Sequence, residues 1–148
     1  MSSSWFAATL AFAAGLGGAV QIAVQGRLGD RVGTLEAVTT AVIVGSVIAI
    51  SALLVTRRSL SGIGDAVAGP KWQMLGGAMS VLIVLAITVA GPRIGIVATS
   101  AFLIAAQFGL ATAIDRYGWF GVERVSVTWL RVLGIVLLVV GAALTLRR

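Results

Sequence analysis

The chain has 148 residues, of which 59% are hydrophobic and 11% charged, with a mean hydropathy of +1.07 and a formal net charge of +6. A soluble domain of this length would need far more polar surface, so the composition places the chain in a membrane. It contains no Cys and no His, which excludes disulfides, Cys or His metal sites, thiol chemistry and Ser-His triads together.

The apolar runs are continuous rather than alternating, which selects membrane helices over barrel strands. A run of about 20 residues rising 1.5 Å per residue spans a hydrocarbon core of roughly 30 Å. The expected fold is therefore an all-α integral membrane protein with five transmembrane helices in a single membrane domain, residues 1–148. The basic residues stand singly or in pairs at the ends of the runs, where long side chains snorkel to headgroups, so no nucleic-acid partner is expected.

The first span is predicted over about 5–26. It is longer than a signal-peptide core and no basic residue precedes it, so it reads as a retained span. Ala11, Gly15 and Ala19 share one helical stripe, and Ala14 and Gly18 the next, a spacing that lets backbones approach closely in lipid. Gln21 and Gln25 continue the second stripe. Each either bonds a neighbouring helix or contacts substrate. Residues 27–33 read as a charged turn.

The second span, about 34–56, carries Glu36 near its start, the one acidic residue close to a span interior. It reads as a first-turn carboxylate facing the helix dipole and pairing with Arg27 or Arg31, and otherwise as the coupling candidate. Residues 59–70, rich in Gly and Ser, read as a surface loop. The third span, about 72–91, aligns Gly77, Ser80, Val84 and Thr88 on one face. Gly91-Pro92-Arg93 reads as a break, with proline at the first position of the next helix.

The fourth span, about 94–114, aligns Ser100, Gln107, Ala111 and Asp115. Ser80, Thr88, Thr99 and Ser100 are weaker signals, because lone hydroxyls in membrane helices usually bond their own backbone. Gln107 is stronger: an amide within an apolar run must face protein, water or ligand. The segment Asp115-Arg-Tyr-Gly-Trp-Phe-Gly121 reads as an interfacial turn with its aromatics at headgroup level. The fifth span, about 126–146, contains Arg131, either snorkelling or anion-binding, and a seam of Gly134, Leu138 and Gly141.

The run from Gln21 to Leu28, the Gly-Pro-Arg-Ile-Gly turn, Gln107 followed by Asp115-Arg-Tyr-Gly, and a closing span with Arg131, Gly134 and Gly141 resemble the YdcZ-like family of the drug/metabolite transporter superfamily. The resemblance covers essentially the whole chain. Gln25 stands where asparagine is common in that family. The resemblance implies a bacterial inner-membrane, multi-pass exporter. It also implies that five spans form a half-unit of a ten-helix inverted-repeat transporter, which must pair with a second half. Position in larger relatives makes Gln21, Ser80 and Gln107 the implied cavity residues.

Three functions follow for comparison. The leading one is a small-molecule transporter working by alternating access as an antiparallel homodimer, or paired with a paralogue. The alternatives are a non-transporting subunit or scaffold of a larger complex, and a small dimeric ion channel, for which no filter motif is present. No enzyme is expected, since no nucleophile–base arrangement lies within a span. No metal and no cofactor is expected either. The absence of deep carboxylates argues against proton antiport through one, and favours neutral or zwitterionic substrates.

Five spans also divide the basic residues almost evenly. Arg57, Arg58, Lys71, Arg116, Arg124 and Arg131 fall on one side, and Arg27, Arg31, Arg93, Arg147 and Arg148 on the other. Such balance suits insertion in both orientations.

Overall fold

The computed structural model describes residues 2–146, and side chains from residue 4 onward. Every regular element among them is helical. The α-helices are α1 (Ser2–Val32), α2 (Thr34–Arg57), α3 (Ser61–Ala68), α4 (Leu75–Ile94), α5 (Ile96–Tyr117) and α6 (Trp129–Leu144). Single 3-10 turns, Lys71–Met74 and Trp119–Gly121, precede α4 and follow α5. Four of these segments are long and apolar enough to cross a membrane: Ser4–Val32, Thr34–Arg57, Lys71–Ile94 and Ile96–Tyr117. The expected residues 147–148 at the close of the last span lie outside the described residues.

Several expected boundaries move, each for a local reason. The charged segment 27–32 is not a turn but the last turns of α1, which ends only where Gly33 adopts φ 103°. The Gly33 N–H donates to the Gly29 carbonyl at 3.0 Å, and its own carbonyl accepts from Ala37 at 3.0 Å, so one residue joins two helices. Only glycine takes that φ without strain. A Cβ there would also meet the Glu36 carboxylate, which lies over it.

Gly91-Pro92-Arg93 is likewise helical. Pro92 sits inside the last turns of α4, not at the start of the next helix, and the break falls at Gly95 with φ 86°. Proline near a helix end costs one backbone bond, the one its missing N–H would have made to residue 88, and the turn survives that loss.

The expected loop over 59–70 contains α3. The Ser61 N–H donates to Ser59 Oγ at 3.2 Å and the two hydroxyls bond at 2.9 Å, which fixes the chain where the helix begins. The last apolar segment has only 16 helical residues, because residues 122–128 run without regular structure.

By contact the chain forms two compact units, residues up to Ile22 with those from Arg93 onward, and Ala23–Pro92. In the second unit Gly26 and Gly29 on α1 meet α4. A Cβ at Gly26 would stand 3.0 Å from Pro92 Cδ, and one at Gly29 2.6 Å from Thr88 Cγ2. Close approach therefore occurs at Gly26 and Gly29. Gly15, Gly18, Gly134 and Gly141, on the expected small-residue stripes, have nothing within 4 Å of a Cβ position.

Candidate functional site

In the first unit, α5 and α6 pack together through a strap that their sequences dictate. Gly118 ends α5 in the left-handed conformation, its N–H bonded to the Ile114 carbonyl at 2.8 Å. The strap returns along the helix end, and the Val125 N–H donates to the Asp115 carbonyl at 2.9 Å. Tyr117 and Trp119 stack with ring centroids 5.5 Å apart, as aromatics at a membrane boundary do. Thr128 then caps α6, its hydroxyl accepting from the Arg131 N–H at 3.4 Å.

These anchors bring the only ion pair among the described residues into place. Arg131 Nη1 donates to Asp115 Oδ2 at 3.0 Å, with the side chains 46% and 27% exposed. Asp115 lies in the last turn of α5 and Arg131 in the first turn of α6. Each charge therefore sits at the end of its own helix that the macrodipole disfavours, and each neutralises the other. Below the pair opens a cleft of about 450 Å³, walled by Phe108, Ala111, Thr112, Gly134, Ile135 and Leu138. That volume falls within the range of small-molecule sites, and mostly apolar walls with a few polar groups are their usual make-up.

The second unit holds a different feature. Gln25 is 5% exposed, and its Nε2 has no hydrogen-bond partner. Leaving such a group unpaired costs about 1–3 kcal/mol.

The sequence model of a family described as "Putative inner membrane exporter, YdcZ" matches residues 6–144. The chain belongs to the YdcZ family. Neither a curated protein nor a solved structure matches it. With four apolar helices of crossing length, it is a multi-pass inner-membrane protein of an exporter family, a class of transporters rather than enzymes.

Within this YdcZ-family chain the expected site residues divide. Gln21, Ser100 and Gln107 belong to the first unit, and Gln25, Glu36 and Ser80 to the second. None of the six hydrogen-bonds another among the described residues. Gln21 and Gln107 are exposed and Ser100 is half-buried. The Ser80 hydroxyl donates to its own helix, at the Gly76 carbonyl 2.9 Å away. Glu36 is exposed in the first turn of α2. Of the face expected on α5, Ala111 and Asp115 line the cleft, while Ser100 and Gln107 do not.

The Asp115–Arg131 pair was not foreseen, because each residue alone reads as an interfacial charge. The available signal was their opposite sign at the two ends of one short connection.

Proposed function

We propose that this protein exports a small amphiphilic organic molecule, neutral or zwitterionic, by alternating access as an antiparallel homodimer. The observation that carries the reading is the α5–α6 cleft, apolar along most of its walls and lined at one end by a paired cation and anion. A ligand with an apolar body and a head bearing both signs of charge could exchange with that pair at little net electrostatic cost. A channel would instead call for a ring of carbonyls or side chains at a constriction.

In this reading α6 is the fifth crossing, so the termini lie on opposite sides of the bilayer and each chain supplies one half of the transporter. The open glycine stripes on α1 and α6 offer the second copy surfaces for close helix packing. Gln107 and Gln21, exposed amides on otherwise apolar helices, are assigned to the transport path.

The near-even division of basic residues supplies the test. Two or three lysines added to the loops of one side, and separately to the other, fix opposite orientations. Each biased variant should lose export alone, and co-expression should restore it. If each biased form works by itself, the antiparallel arrangement is wrong.

A further inference from the structure

One glycine stands midway along the α5–α6 cleft with open space over it. The strap turns the chain back, so the two helices run antiparallel away from the Asp115–Arg131 pair. Three residues along each helix from that pair stand Thr112 and Gly134, and seven along stand Phe108 and Leu138; all line the cleft. Seven residues at 1.5 Å each put the far level about 10 Å from the charges. Large apolar side chains wall that far level. At the middle level α6 presents no side chain, and a Cβ built on Gly134 would have nothing within 4 Å. The Thr112 hydroxyl is engaged on its own helix, donating to the Phe108 carbonyl at 2.8 Å. The room at the middle of the cleft is therefore the side chain that position 134 lacks.

The charged end is within reach of a ligand as well. Arg131 is exposed and Asp115 half-buried, and they share a single contact, Nη1 to Oδ2. That contact uses one of the guanidinium's five N–H groups and one of the two carboxylate oxygens. Their remaining donors and acceptors have no other partner among the described residues. An ammonium and a carboxylate on adjacent atoms can be held there without breaking the pair.

We propose that Gly134 is the specificity-determining residue of this cleft: the space over it admits the broad apolar body, a ring or branched chain, of a zwitterion whose two charges Asp115 and Arg131 hold. The inference rests on the cleft being the substrate site of the export reading, and adds which bodies fit. Each methylene of the body that the middle level no longer covers lowers affinity by a factor of about four. Gly134→Ala puts one carbon into that space and Gly134→Leu a whole branched side chain. A straight chain can pass along the opposite wall and is spared. Because nothing stands near the Cβ position, Gly134→Ala also raises helix stability, so weaker binding by that variant cannot come from misfolding.

The test uses the full chain in nanodiscs, titrated calorimetrically against empty nanodiscs. The probes are β-cyclohexylalanine, which is broad, and α-aminononanoic acid, which is slender, with the same head and the same number of carbons. Gly134 also lies on the stripe offered to a second copy, so the deciding readout is the ratio of the two affinities, which a change in dimer packing does not move. Gly134→Ala should unfold at a higher temperature yet bind β-cyclohexylalanine about fourfold more weakly relative to α-aminononanoic acid, and Gly134→Leu at least about tenfold. Gly17→Ala, outside the cleft with an equally open Cβ position, should leave the ratio unchanged. Arg131→Gln should weaken both probes alike.

A ratio that both Gly134 variants leave at the wild-type value overturns the proposal. So does an equal loss of both probes, which would make Gly134 a helix-packing residue, and so does a wild-type chain that binds only the slender probe. Should Gly134→Leu not fold, Gly134→Ala decides alone. The two readings fail differently. A wild-type chain that binds neither probe removes the cleft as substrate site and this inference with it. Binding that Arg131→Gln weakens but position 134 does not tune removes this inference alone.

Discussion

Replacing Gly29 with alanine tests the α1–α4 seam most directly. The new methyl would stand 2.6 Å from Thr88 Cγ2, about 1 Å inside the 3.5–4.0 Å at which carbon atoms pack comfortably. Thr88 has little freedom to move aside. It is 3% exposed, its branched side chain has few rotamers in a helix, and rotation would take its hydroxyl from the Val84 carbonyl. Overpacking of this kind costs about 1–3 kcal/mol, while alanine in a helix regains about 1 kcal/mol over glycine. The net expectation is a loss of about 0–2 kcal/mol.

Gly17→Ala, with nothing within 4 Å of its Cβ position, is the control and should gain up to about 1 kcal/mol. Thr88→Ser removes Cγ2 and keeps the hydroxyl, so combining it with Gly29→Ala should recover about 1–3 kcal/mol in a double-mutant cycle. Equilibrium unfolding of all four variants in bicelles measures these differences. Gly29→Ala as stable as Gly17→Ala, with no coupling to position 88, would refute the packing argument.

Two other substitutions separate stability from export. Exchanging the ion pair (Asp115→Arg with Arg131→Asp) keeps the bridge and turns both charges to favour their helix dipoles. The double variant should match or exceed the wild type by a few tenths to about 1 kcal/mol in thermal unfolding, yet lose export, whereas Asp115→Asn alone should destabilise by no more than about 1 kcal/mol. Gln107→Leu should abolish export while the dimer still assembles on size-exclusion chromatography; normal export would remove Gln107 from the transport path.

The membrane class and the long helices were legible because continuous apolar runs leave little choice in lipid. Helix ends were less legible. Charge at Arg27, Asp30 and Arg31 suggested a turn, but charged residues extend a helix readily once it leaves the hydrocarbon, and only the backbone of Gly33 stops it. Pro92 looked like a beginning and proved to be near an end, since proline is tolerated at either place for different reasons. The cleft was half legible: the α5 periodicity aligned Ala111 with Asp115, but which residue of the last segment would face them depended on where Thr128 starts α6. The isolation of Gln25 could not be read at all, because whether a buried amide finds a partner depends on which groups the fold packs against it.

The helices differ widely in length, and a single bilayer cannot suit both extremes. α1 has 31 residues and rises about 46 Å, whereas α6 has 16 and rises about 24 Å. In the five-crossing arrangement α1 tilts or projects into the headgroups, and the lipid beside α6 thins to meet it. The ion pair rides on the first turn of α6, so acyl-chain length sets how deeply the mouth of the cleft sits. Export in vesicles should therefore vary with lipid chain length, and shorter chains should favour it, making the protein a reader of membrane thickness as well as of its cargo.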